Sequence, residues 1–186
     1  MISQSAQQGF ETLLVKSLQK ALAVVDGDQI EVNEEFDNTE FLETHVVVLT
    51  SASYIFRVMV LIYFNTDSAT QTHFARRSGT DVSAQNPQAF IDAMCETANM
   101  CCGGLNRELV QFYPHIGLST PNILERRCAD YIHVLNAGLL KHFAVHVNGS
   151  PLFHASLCVC DYDTLDFHYT PSVQENAVID GELELF

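Results

Sequence analysis

The 186-residue chain contains no tryptophan, and its 9 lysine and arginine residues face 23 aspartate and glutamate residues. The net charge of −14 argues against nucleic acid or an anionic membrane surface as a partner, because both repel an acidic protein. No apolar run reaches the roughly 18 residues that a membrane-spanning helix needs. The N-terminus also lacks a basic stretch followed by a long apolar block, so we expect a cytoplasmic protein without a signal peptide.

The six cysteines include no Cys-x-x-Cys pair. In a chain without an export signal, we expect them to be reduced thiols that are buried or half-buried in the fold. Cys95, Cys101 and Cys102 fall near the middle of a predicted helix, where no helix N-terminus lowers the pKa of a thiol. A cysteine nucleophile is therefore not expected.

The hydrophobic pattern predicts an α+β fold, in which a mostly antiparallel sheet built from hairpins is packed by a long helix and further helices. We expect one antiparallel hairpin from strands 41–49 and 54–64, and a second from strands 143–147 and 152–160 that turns at Asn148-Gly149, the strongest hairpin turn signal. Alternate residues of the second hairpin should face the core: Phe143, Val145, Val147, Phe153, Ala155, Leu157 and Val159. We also expect a turn at residues 119–122. We expect residues 1–168 to form a single domain and residues 169–186 to form an acidic C-terminal tail, which beyond Pro171 is either loosely held or a short docking segment. The predicted helices are 8–25, about 66–77 and 86–112, and the predicted strands are 30–32, 41–49, 54–64, 131–135, 143–147, 152–160 and an edge strand near 165–169.

The long helix, Asn86–Phe112, organises the rest of the chain. Asn86 can cap it, and Pro87 suits the first helical position, where no backbone donor is needed. At about 100° per residue, one side is apolar and packs on the core. Gly103-Gly104 costs roughly 1 kcal/mol of helix propensity per glycine, which indicates a packing or functional reason. The side opposite the core carries Asp92, Glu96, Asn99, Gly103 and Asn106.

The spacing of these residues resembles the signature of the CheC/CheX/FliY family of chemotaxis phosphatases. That signature places an acidic residue or serine before an ExxN arrangement on a helix, and a proline about two dozen residues later. This chain has one such helix, so it resembles CheX more than CheC, which has two in tandem. The matching residues are Asp92, Glu96, Asn99, Gly103, Asn106 and Pro121.

The resemblance implies a phosphatase that acts on the aspartyl phosphate of a CheY-type response regulator. It implies that Asn99 orients the attacking water and that Glu96 pairs with the active-site lysine of the regulator. Asp92, Gly103 and Asn106 would contact the partner. The chain itself would bind no metal or cofactor, because Mg²⁺ belongs to the regulator, and two copies would form a homodimer that shares a sheet.

Two alternatives remain open. The same helix could dock on a regulator without hydrolysing it, as an adaptor does. Alternatively, His142, His146 and His154 share one face of a predicted hairpin and could bind zinc, with Cys158 and Cys160 nearby. We favour the interpretation that these histidines lie on the solvated face of the sheet, because no carboxylate or cysteine lies at a recognisable ligand spacing.

Overall fold

The computed structural model describes residues 1–39, 41–78 and 86–171. None of the helices in these ranges is long and apolar enough to cross a membrane. In chain order the elements are α1 (Gln4–Leu22), β1 (Ile30–Glu35), β2 (His45–Ala52), β3 (Phe56–Phe64), α2 (Ser68–Ser78), α3 (Pro87–Leu109), β4 (Gly117–Leu118), β5 (Asn122–Glu125), a 3-10 helix (Arg126–Leu135), β6 (Leu139–Val147) and β7 (Ser150–Asp161).

The strands form one antiparallel sheet of seven strands in the order β1-β6-β7-β3-β2-β4, and β5 also pairs with β2. Both predicted hairpins are confirmed, as β2–β3 and β6–β7. The second hairpin turns at Asn148 and Gly149, whose φ angles of 51° and 79° are the positive values that a tight hairpin turn requires. The predicted α+β fold class is therefore confirmed.

Helices α1 and α3 lie side by side on one face of the sheet and bury the main hydrophobic core against it. As predicted, alternate residues of β6 and β7 point into this core, because successive side chains of a strand point to opposite faces. The buried core residues of these two strands are Leu139, Phe143, Val145, Val147, Phe153, Ala155, Leu157 and Val159.

The opposite face of the sheet, which we call the outer sheet face, is also partly covered. A second buried hydrophobic cluster forms on this face. Phe41 and two residues of the 3-10 helix, Ala129 and Ile132, belong to it. They pack against buried side chains of the sheet, including Tyr63 and Cys158. The polar residues of this face are therefore less exposed than a solvated sheet face would leave them.

The predicted strand at 131–135 is wrong, because this segment belongs to the 3-10 helix Arg126–Leu135. The alternation of Ile132 and Val134 with polar neighbours imitates a strand. Burial instead follows a spacing of three, since Ala129 and Ile132 are buried, and three residues make one turn of a 3-10 helix. Asn136 ends the helix in the left-handed conformation, with φ 48°.

The ends of the sheet also differ from the prediction. The edge strand expected near 165–169 is wrong, since Leu165 makes only an isolated parallel bridge with Ile2. The turn expected at 119–122 lies between two short strands, β4 and β5, which both pair with β2. These pairings depend on contacts distant in sequence, so local patterns do not indicate them.

Helix α1 begins four residues before the predicted start at residue 8 and ends three residues before the predicted end at residue 25. Ser3 caps its first turn by accepting a hydrogen bond from the Ala6 amide. After Leu22, the Asp28 carboxylate accepts hydrogen bonds from the amides of Val24 and Val25. These bonds hold the chain in a turn in place of another helical turn.

Candidate functional site

The long helix forms at its N-terminus as the sequence predicts. The Asn86 side chain accepts a hydrogen bond of 3.0 Å from the Gln88 amide, and Pro87 occupies the first helical position. The helix runs for 23 residues and ends at Leu109, three residues before the predicted end. There the amides of Phe112 and Tyr113 both donate to the Leu109 carbonyl, which closes the helix with a turn.

Helix α3 is held along its inner side by α1 and by strand β2. Buried side chains pack closely and allow little rotation of the helix about its axis. The packing therefore fixes which residues of α3 point away from the core. The buried residues of α3 are Phe90, Met94, Thr97, Ala98, Cys101, Cys102, Leu105 and Leu109.

The five predicted site residues all lie on the side of α3 that faces away from this core, and we call this surface the docking face. It consists of Asp92, Glu96, Asn99, Gly103 and Asn106. Asp92 and Glu96 are exposed, and the other three are half-buried. The structure therefore places every predicted site residue on one surface.

The polar side chains of the docking face differ in their bonding. Gln88 donates a hydrogen bond of 2.8 Å to the Asp92 carboxylate one turn away. Within the described residues, neither the Glu96 carboxylate nor the Asn99 amide takes part in a hydrogen bond or ion pair. The Asn106 Oδ1 atom is buried and has no hydrogen-bond partner among the described residues. Glu96 and Asn99 thus offer their polar groups outward.

The two adjacent glycines of α3 have different surroundings. A Cβ atom added at Gly103 would meet nothing within 4 Å. A Cβ atom added at Gly104 would lie 3.3 Å from the Ser17 Oγ of α1. Gly104 therefore allows the close approach of the two helices, whereas packing among the described residues gives no reason for a glycine at position 103.

Comparison with known proteins gives no match to a family model and no significant match to a curated sequence. The structure is similar to that of the chemotaxis protein CheX from Vibrio vulnificus, with a TM-score of 0.63 and 14% identity over 81% of this chain and 99% of that chain. The chain has the CheX/CheC-like fold. A CheC-like superfamily protein from Shewanella sp. PV-4 gives a TM-score of 0.58 at 12% identity, over 81% of this chain and 96% of that chain. A CheX–CheY–BeF3–Mg²⁺ complex from Borrelia burgdorferi gives 0.56 at 11% identity, over 83% of this chain and 97% of that chain.

In this CheX-like fold the three predicted histidines share the outer sheet face, and the Phe41 ring contacts two of them, His142 and His154. His142 is buried, which lowers its pKa, and its Nδ1 lies 2.7 Å from the Ser156 Oγ. His154 pairs through its Nδ1 with the Glu43 carboxylate. The described residues contain no group of three or more potential ligands placed to hold a metal ion. The expected solvated position is wrong for His142, because Phe41 packs over this face.

Two of the three cysteines of α3 lie in the core, and the third, Cys95, is half-buried. Cys101 and Cys102 are buried, and burial raises the pKa of Cys101 well above its usual value and that of Cys102 to about 12. Such thiols remain protonated near neutral pH and are poor nucleophiles. This agrees with the expectation for Cys101 and Cys102. Cys128, in contrast, is exposed, whereas the sequence predicts a buried or half-buried thiol.

A groove lies between α1 and α3, where no site is predicted from the sequence, and we call it the basic groove. Lys16, Lys20 and Arg107 line it, together with the partly exposed Met100 and the buried Leu13. Lys16 and Lys20 are four residues apart, so a basic stripe on α1 could be recognised from the sequence. Only the packing of α1 against α3 brings Arg107 beside that stripe.

Proposed function

We propose that this chain is a phosphatase for the aspartyl phosphate of a CheY-type response regulator, and that the docking face is its working surface. The observation that carries the proposal is the position of Glu96 and Asn99, one turn apart on the exposed side of a helix whose other side is fixed in the core. It is supported by the CheX-like fold, since one structure of that fold is a complex of CheX with CheY.

In the proposed reaction this chain only has to position the attacking water molecule. An acyl phosphate is already activated, so its hydrolysis mainly needs a water molecule in line with the phosphorus and stabilisation of charge. The regulator and its Mg²⁺ supply the charge stabilisation. The Asn99 amide suits the remaining task, because it can both donate to and accept from water and carries no charge that repels the phosphoryl group.

Glu96 acts in this proposal as a docking residue. Its exposed carboxylate has no ion pair among the described residues, so it is available to the active-site lysine of the regulator. A charge-assisted hydrogen bond of this kind fixes orientation as well as adding affinity. Asp92 already accepts a hydrogen bond from Gln88 and supports the helix beside the contact.

The decisive experiment measures phosphate loss from a phosphorylated CheY-type regulator with catalytic amounts of the full chain. We expect Asn99→Ala to lower the rate by about 100-fold or more while regulator binding is retained, because misplacing the water removes the catalytic contribution alone. Glu96→Ala should weaken binding as well. Asn33→Ala and Glu31→Ala are matched controls, since both residues are exposed on β1 at the far edge of the sheet.

The main competing function is that of an adaptor that binds the regulator without turnover. An adaptor would bind the phosphorylated regulator through Glu96 but leave its rate of phosphate loss unchanged. If the chain neither binds nor accelerates phosphate loss with several regulators, both functions are wrong.

We further expect a cytoplasmic homodimer. Strand β1, at one edge of the sheet, carries Glu31, Glu34 and Glu35, and such charges discourage edge-to-edge pairing. The edge formed by β4 and β5 lies nearer to exposed apolar side chains, among them Leu124 and Tyr131, so we expect the dimer contact there. Sedimentation of the wild type and of Tyr131→Glu tests this assignment.

A further inference from the structure

The basic groove concentrates positive charge in a strongly acidic protein. Lys16, Lys20 and Arg107 are three of the chain's nine lysine and arginine residues. Among the described residues that line the groove, Glu108 contributes the one carboxylate. Beneath them lies an apolar floor that includes Leu13, which is fully buried, and Met100, which is 40% exposed. The groove therefore has the chemistry to bind an extended segment that alternates acidic and apolar residues.

The chain itself contains such a segment. Residues 172–186 read SVQENAVIDGELELF, with four acidic residues, no lysine or arginine, and an alternation of glutamate and leucine near the end. We propose that this C-terminal segment, residues 172–186, binds in the basic groove of its own chain.

The end of the described chain supports this assignment. Pro171 lies against α1, where it lines a cleft together with Val15 and Lys16. Two residues earlier, the Tyr169 hydroxyl accepts a hydrogen bond of 3.4 Å from the Lys16 Nζ. Lys16 lines the basic groove as well, so the segment starts one helix width from its site. Fifteen residues can span up to about 50 Å, whereas a helix is only about 10–12 Å wide.

Charge distinguishes the basic groove from the cleft at Pro171 itself. Among its described lining residues, that second cleft has the carboxylates of Glu11 and Glu34 and one basic side chain, that of Lys16. Both carboxylates pair with Lys141, so an acidic segment gains no net attraction there. The basic groove, with three cationic side chains and one carboxylate among its described lining residues, attracts it. Because the attraction is between charges near the surface, it should weaken as salt shortens the screening length.

The absence of tryptophan allows a clean test on the full chain. Leu183→Trp gives the chain its only tryptophan and places it in the C-terminal segment. We expect its emission to be shifted to shorter wavelengths and protected from a soluble quencher relative to a free peptide of the same sequence. This protection should decrease with added salt and should not depend on protein concentration.

Charge variants test the site. In the Leu183→Trp protein, Lys20→Glu and Arg107→Glu together should lower the ratio of bound to free segment about tenfold, because each removes an attraction and adds a repulsion. Arg127→Glu is the matched control, since this exposed arginine lies on the 3-10 helix, away from the groove. Adding Glu182→Lys and Glu184→Lys to the groove variant should restore protection.

Three results would overturn the inference. The first is a tryptophan as accessible to quencher as in the free peptide, and the second is protection that the groove substitutions leave unchanged while circular dichroism shows them folded. The third is protection that disappears on dilution, which would assign the segment to a second copy. None of these measurements involves a regulator, so their outcome is independent of the proposed phosphatase function.

Discussion

Replacing Gly103 with alanine should raise stability and lower regulator binding at the same time. Glycine in a helix interior costs about 1 kcal/mol relative to alanine. An added Cβ at position 103 would meet no atom within 4 Å, so no clash offsets the gain. For a protein of this size, we expect the melting temperature to rise by about 2–4 °C.

The same methyl group should interfere with the partner. If the regulator approaches the docking face closely at Gly103, an inserted methyl costs about 1–3 kcal/mol, as overpacking does in a protein core. Affinity for the regulator should then fall by roughly tenfold. Thermal unfolding and a binding titration on the same preparation measure both effects.

Gly104→Ala is the matched control, because it adds the same methyl group one residue later. There the new Cβ would lie 3.3 Å from the Ser17 Oγ, so crowding between α1 and α3 should offset the gain in propensity. We expect no comparable rise in melting temperature and little change in regulator affinity. If Gly103→Ala binds the regulator as tightly as wild type, Gly103 is not part of the contact. If it melts below wild type, the propensity argument is wrong.

Two further predictions concern buried titratable groups. Burial alone would raise the pKa of Asp28, but hydrogen bonds from Asn148, from backbone amides and from Arg76 outweigh it and lower the pKa to about 2. Its contribution to stability is therefore present above about pH 4 and is lost as the pH falls towards 2. Asp28→Asn should lower the free energy of unfolding by about 2 kcal/mol at neutral pH. Denaturant titrations of both proteins should show this difference disappearing near pH 2. In thiol labelling of the native protein, exposed Cys128 should react and buried Cys102 should not; equal rates would contradict the burial of Cys102.

The parts of the fold that were predictable depend on local patterns. Asn86 and Pro87 mark the start of α3, and the spacing of apolar residues sets its register, so the docking face could be identified before its surroundings were known. Asn148-Gly149 likewise defines the β6–β7 hairpin. Such signals act within a few residues of one another, and the structure preserves them.

The parts that were missed depend on contacts between distant segments. The 3-10 helix has the apolar and polar residues of a strand, and only its packing over Phe41 and the sheet gives it a buried side. The burial of His142 follows from the same cover. The basic groove requires α1 and α3 to be adjacent, although 86 residues lie between Lys20 and Arg107 in the sequence.

The close approach of α1 and α3 at Gly104 gives the two neighbouring glycines different evolutionary constraints. A larger residue at 104 requires room from Ser17, so substitutions at these two positions should occur together within one gene. A Cβ at Gly103 would meet no atom of the described chain within 4 Å. Under the proposed function, a change there would have to be accommodated by another gene, that of the regulator. Two consecutive positions would thus evolve under different constraints, Gly104 under that of helix packing and Gly103 under that of partner recognition.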